Sequence, residues 1–254
     1  MSIASIYCNE IRSSFRKYFG NWEPTELMKL GDIGVIENNM FIHIGNLSSM
    51  GITNLVVEEQ VGVGNKTFSS KDSVSVTFSS KATSEQLNTK AGLKIAFSKG
   101  DSLFFNAVDC SVQRFADKID LGNKILDLYK IRKNWKRNWV VVTDLIISKN
   151  TTIAVSESAN SSVSLEAKSD LIEQVDMLDA ELSLAIVNNN QVGYCVESKR
   201  DIIPLIGVCA IKDTWFEPAS FNTLTKKQYL PSLRQGGKMM GFIQAETEEF
   251  GQIE

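Results

Sequence analysis

Between residues 67 and 79 the chain reads TFSSKDSVSVTFS, and between 151 and 167 it reads TTIAVSESANSSVSLEA. Apolar and hydroxyl-bearing residues alternate with a period of two, the period of a strand. Val74, Val76 and Phe78 fall on one face of such a strand, and Ser73, Ser75 and Thr77 on the other. A Ser/Thr face carries no full charge, so it suits water, a neighbouring layer or the lumen of a barrel. The pattern therefore fits an ordinary antiparallel sheet with a hydroxyl-rich solvent side. It also fits strands that leave a soluble fold and enter a membrane. Either way the chain is committed to β-structure.

With 254 residues the chain can bury most of its apolar surface as one large domain or two small ones. Its 43% hydrophobic and 22% charged residues are those of a globular protein. A net charge of −3 gives the whole molecule no electrostatic case for nucleic acid. No apolar run approaches the roughly 18–20 residues of a membrane helix. Residues 1–10 are short, mixed and soon charged, unlike the core of a signal peptide, so a cytoplasmic location is expected. Cys8, Cys110, Cys195 and Cys209 lie far apart with no CxxC pair, which points to reduced thiols instead of disulfides or a zinc site.

Residues 3–19 place Ile3, Ile6, Tyr7, Ile11, Phe15 and Tyr18 at helical spacing, so residues 1–20 are expected to hold an amphipathic helix. Short strands are predicted over 33–36, 40–44, 53–57, 73–78, 93–97 and 102–112. A second helix is predicted over 113–133, with Phe115, Ile119, Gly122, Ile125, Leu126 and Tyr129 as its apolar stripe. An apolar strand over 139–147, a turn at Lys149–Asn150 and strands over 151–155 and 161–167 follow. A short acidic helix is expected within 168–179, then a hairpin pairing 181–187 with 192–196 around NNNQ, then a last strand over 204–212. Past Trp215 the chain shows Pro, Gly–Gly, a Lys pair and no sustained period. The expected organisation is one α+β domain over residues 1–214, a twisted, mostly antiparallel sheet with helices packed around it. Residues 215–254 are expected to form a C-terminal surface tail.

The inventory for catalysis is thin, and no enzymatic activity, cofactor or metal site is expected. His43 is the single histidine and alternates with apolar residues in a predicted strand. GVGNKT at 62–67 lacks the spacing and strand-to-helix setting of a phosphate loop. Two features suit a membrane surface instead. Lys130, Arg132, Lys133, Lys136 and Arg137 are interleaved with Trp135 and Trp139, a mixture that matches the lipid headgroup region. The same cations would also complement the C-terminal dipole of a solvated helix. Cys8, on the amphipathic helix, is a candidate for acylation if exposed and a packed thiol if not.

From Ser73 onward the order of elements resembles the pore-forming domain of the gasdermins, particularly the short bacterial members. The stretches WVVVTDLIISKNTTIAVSESANSSVSLEA and ELSLAIVNNNQVGYCVESKRDIIPLIGVCAIKD are the most similar, and the likeness covers residues 70–213. It implies a pore-former held inactive by its C-terminal tail, with Leu224–Phe242 as the restraint. Proteolysis near Arg234, Gly236, Gly237 and Lys238 would release it to form a homo-oligomer. The implied partners are an activating protease and membrane lipid, with no nucleic acid. The implied setting is the cytoplasm, then the inner membrane on activation, in cell death during antiphage defence. Lys133, Lys136, Arg137, Trp135 and Trp139 would contact headgroups, Cys8 would be the acylated residue, and Val140–Val155 would belong to an inserting β-hairpin. Lys71, Asp72, Lys94, Asp109 and Asp144 would then face the lumen, the rim or a turn. The alternative is a β-rich binding or assembly module, an adaptor or virion component, with no membrane activity.

Overall fold

The computed structural model describes residues 2–70, 72–79, 92–167, 184–198, 201–212 and 219–225. The fold is α+β and every strand pair among these residues is antiparallel. In chain order the elements are α1 (Ile3–Ser14), β1 (Phe19–Gly20), β2 (Asp32–Glu37), β3 (Met40–Asn46), β4 (Val57–Gln60), β5 (Lys66–Ser69), β6 (Val74–Ser79) and β7 (Gly92–Phe97). They continue with β8 (Ser102–Phe115), α2 (Lys118–Lys130), β9 (Val140–Ser156), β10 (Ser161–Ala167), β11 (Leu184–Asn190), β12 (Tyr194–Ser198), β13 (Ile202–Lys212) and β14 (Ser220–Thr223). Among the described residues the strands make a ten-stranded sheet and a separate four-stranded sheet ordered β11-β10-β7-β6.

The spine of the large sheet is β9, 17 residues long. One flank pairs with β8 and then β2, the other with β12 and then β13. The turn expected at Lys149–Asn150 is absent. The ladder to β8 runs through it, with Asn150 opposite Val108 and Ser148 opposite Cys110, and Lys149 pairs with Asp109 at 2.8 Å.

Ser2 caps α1 by accepting from the Ser5 amide. The helix buries Ile6, Tyr7, Cys8 and Ile11 against Leu103, Phe105 and Ala107 of β8 and Ile153 and Val155 of the spine. By area bookkeeping each such large side chain contributes roughly 1.5–3 kcal/mol. The second helix starts later than its apolar stripe suggests. Phe115 ends β8, and Asp117 is the N-cap, accepting from the Ile119 and Asp120 amides. Its inner face is Leu121, Gly122, Ile125 and Leu128, whereas Ile119 is 79% exposed.

Two further expectations change. β11 and β12 do not form a hairpin: β11 pairs with β10, and β12 with β9. Residues 191–193 carry the chain from one sheet to the other, with Gln191 left-handed (φ 58°) and Val192 buried. Part of the expected tail also belongs to the sheet, because β14 pairs with β13 and Phe221 packs against Gly122 of α2. The expected helix within 168–179 and the residues after Thr225 lie outside the described residues.

Candidate functional site

The two sheets share their strands pairwise. The runs β5–β6, β7–β8, β9–β10 and β11–β12 stand in one order, with β5-β8-β9-β12 in the large sheet and β6-β7-β10-β11 in the small one. The result is one four-stranded ribbon bent at a corner. Its central pair keeps a single register across the bend. Phe97 faces Ser161 before it, Ser102 faces Ser156 after it, and four residues lie between on each strand, 98–101 and 157–160.

The small sheet has two chemically distinct faces. Leu93, Ile95, Phe97, Val163 and Leu165 are buried against Phe104, Ala154 and Val192. The other face presents Ser75, Thr77 and Lys94 to solvent, with Ser162 and Ser164 half-buried. The alternation seen in the sequence is thus realised, its apolar side folded inward on the large sheet.

Hydroxyls hold the corner. Ser102 Oγ donates to Ser73 Oγ at 2.9 Å, and Ser156 and Ser161 share a hydrogen bond. Ser70 Oγ accepts from the Leu103 amide at 2.9 Å and donates to Glu10 Oε2 at 2.8 Å, tying α1 to the bend. Gly100 sits where a Cβ would lie 2.5 Å from the Glu157 carbonyl oxygen, so the two crossing turns meet through backbone. Ser102, Ser156 and Ser161 are all buried. Polar groups that satisfy one another cost little to bury here, yet add less cohesion than an apolar plug.

At the far end of the ribbon β9 is anchored. Asp144 is fully buried, and its Oδ2 accepts from Lys118 Nζ at 2.6 Å and Thr143 Oγ1 at 2.8 Å; Lys17 Nζ lies 3.7 Å from Oδ1. Burial alone would push this carboxyl up, but Lys118, Lys17 and Thr143 outweigh it and hold it below the ordinary value. In this fold Asp144 fastens α2 and the α1–β1 link to the spine. Asp109, half-buried on β8, pairs with Lys149.

The basic segment after α2 divides in two. Lys130, Arg132, Lys133, Lys136 and Arg137 are exposed. Arg132 pairs with Asp127 at 3.0 Å, and Lys136 lies over the Trp139 ring at 5.6 Å. Trp135 is 4% exposed and packs edge-to-face on Trp139 beneath α2, so it is a core residue and not a headgroup contact. Lys133, left-handed at φ 54°, makes the turn that folds Trp135 inward.

Cys8 is likewise a packed thiol. It is wholly buried, its Sγ donates to the Gly20 carbonyl at 3.7 Å, and burial pushes its pKa up to about 12. As folded it offers no nucleophile to an acyl donor. His43 is exposed on β3, 3.6 Å from Asp32 Oδ1. Arg234, Gly236, Gly237 and Lys238 lie outside the described residues. No helix among the described residues is long and apolar enough to cross a membrane, which says nothing of strands. No family model and no curated protein matches the chain.

Proposed function

We propose that the chain is a gasdermin-like pore-forming protein, kept inactive by its C-terminal tail and released by proteolysis to oligomerise in a membrane. One observation carries this reading: the four-stranded ribbon whose central register is continuous across its corner. Opening the corner needs no re-pairing of the central strands. Alternation would then set Leu93, Ile95 and Phe97 in line with Leu103, Phe105 and Ala107 on one face. Lys94, Ser162 and Ser164 would join Asn106 and Thr152 on the other, where Ala96, Phe104 and Ala154 are the apolar members. One apolar and one polar face is what a barrel wall needs. The described strands of the small sheet have six or seven residues, short of the about 9–11 that span a bilayer. Residues 80–91 and 168–183 would supply the rest.

The inserting part is the small sheet together with those two connections. Val140–Ser148 stays behind as the foot, because both its flanks are paired and Asp144 binds it to α2. Four strands cannot close a barrel, so many copies must assemble. Lys133, Lys136 and Arg137, exposed together, are the headgroup contacts in this reading. The setting follows the resemblance: cytoplasm, then inner membrane, in cell death during antiphage defence. The exposed Val56, Val57 and Val61 beside edge strand β4 favour the second reading, a module that assembles without a membrane.

The test is dye release from anionic liposomes by the full chain carrying a protease site within Arg234–Lys238, before and after cleavage. Leakage that starts only on cleavage supports the proposal. Complete cleavage of a still-folded protein with no leakage would sink it. The cut must fall beyond Thr225, since an earlier one removes β14.

A further inference from the structure

A cleft of about 450 Å³ opens between the 20–28 segment and β3. Its walls mix two chemistries. Leu27, Phe41 and Ile42 are apolar, with Leu27 92% and Ile42 42% exposed, while Glu23 and Glu26 are exposed acids. The third acid, Asp32, is already held by Asn46 Nδ2 and the Lys29 amide, both at 2.8 Å. Alongside runs β3, the last strand in the order β1-β13-β9-β2-β3, which leaves one edge unpaired among the described residues. An acidic, apolar groove beside an open strand edge fits an extended segment that is basic and apolar.

Such a segment begins where the described chain ends. The Leu224 amide donates to the Val208 carbonyl at 2.9 Å, and Arg12 Nη2 donates to the Leu224 carbonyl at 3.2 Å. Leu224 packs on the cluster of Phe19, Val142, Ile206 and Val208, against which Phe41 of the cleft also packs. The chain thus leaves on the face that holds the cleft. From Leu224, in the β14 position beside β13, across β13, β9 and β2 to beyond β3 is five strand spacings, about 24 Å, which about seven extended residues cover. Residues 226–242 carry Lys226, Lys227, Arg234 and Lys238 with no acid, and the apolar Tyr229, Leu230, Leu233 and Phe242.

We infer that residues 226–242 of the same chain dock in this cleft, their cations against Glu23 and Glu26 and their apolar side chains against Leu27, Phe41 and Ile42. A second copy bringing its β4 edge would set Glu58 and Glu59 against the same acids, so charge selects the tail. The inference gives the restraint assigned to the tail above a place. It does not need membrane activity, and neither readout below involves a membrane.

Two measurements on the full chain test it. A benzophenone amino acid at position 42 should cross-link to residues within 226–242, intramolecularly and independently of concentration, while one at Val61 should not. Trypsin should cut at Lys226–Lys238 about fivefold faster in Glu23→Gln/Glu26→Gln than in wild type at low salt, the difference vanishing at about 0.5 M salt where surface charges are screened. Unfolding temperatures of the two proteins should agree, showing that the cleft itself stands. Cross-links elsewhere, cross-links that disappear on dilution, or equal cutting rates at low salt would overturn the inference. Leakage from liposomes without position-42 cross-links would refute the docking site and leave the pore reading intact.

Discussion

Lys118 sits in the first turn of α2, where the helix dipole disfavours a cation. Its ammonium is there for Asp144, 2.6 Å away. Replacing Lys118 with Met keeps the aliphatic stem and removes the charge, leaving the buried carboxylate with Thr143 and the more distant Lys17. Breaking one partner of a buried pair costs about 3–5 kcal/mol, and the surviving contacts place this one near about 3. The pH dependence follows from the lowered carboxyl. A group whose folded pKa lies below its unfolded value contributes stability that is complete above the unfolded value, here near 3.8, and is lost as pH falls through the folded one. Urea unfolding should therefore separate wild type from Lys118→Met by about 3 kcal/mol near neutral pH, and the gap should close below about pH 4 as the wild-type carboxyl protonates. Lys118→Arg should recover most of the loss. A gap of the same size on both sides of that pH would mean that the loss does not come from the charge on Asp144 and would refute the ion-pair account.

Three other outcomes are expected. Gly100→Val should destabilise the fold by about 1–3 kcal/mol in chemical denaturation, since its Cβ would meet the Glu157 carbonyl oxygen at 2.5 Å. Alkylation of the native protein near pH 8 should modify the half-buried Cys195 first and leave Cys8, pushed up to about 12, untouched until unfolding, as peptide mapping would show. Reversing Lys133, Lys136 and Arg137 to Glu should weaken binding to anionic vesicles by at least about 1 kcal/mol per residue, read by co-sedimentation, with unfolding unchanged.

Much of the fold is legible in local pattern. The helical spacing of Ile6, Tyr7 and Ile11 marks the face α1 buries, and the Val/Ser alternation marks both faces of the small sheet. What fails is what depends on distant partners. Gln113–Phe115 fits a helix or a strand equally, and pairing with β4 decides for the strand, although Asp117 as an N-cap signals the true start. NNNQ looks like a hairpin turn, yet β10 and β9 claim β11 and β12 separately. Trp135 among cations reads as interfacial because the left-handed Lys133 that turns it inward leaves no trace in composition. The bend of the ribbon is equally hidden. The short polar turns at 98–101 and 157–160 read as two ordinary loops until the shared register shows that they cross.

That register carries a last prediction. The outer strands cut the corner. Four residues, 70–73, face six, 98–103, between the pairs Ser69–Phe104 and Val74–Phe97. On the other side the shortfall of β11–β12 is three residues at the corner, and the bulge beside Ser164/Leu165 reduces it to two farther along. A straight ribbon therefore requires each outer strand to slip by two residues against the central pair, on one side of the bend or the other. An even slip keeps every side chain on its face, and an odd one would turn the apolar row outward. Disulfides at Thr67→Cys/Asn106→Cys together with Ser75→Cys/Ala96→Cys would fix an outer strand on both sides of the bend and forbid the slip. Asn106→Cys/Thr152→Cys with Ala96→Cys/Ser162→Cys would fix the central pair, which has no slip to make. In tail-cleaved protein the first set should abolish dye release until reduced, whereas the second should leave it running. If both sets block release equally, the bend does not open by strand slippage and the ribbon works by another movement.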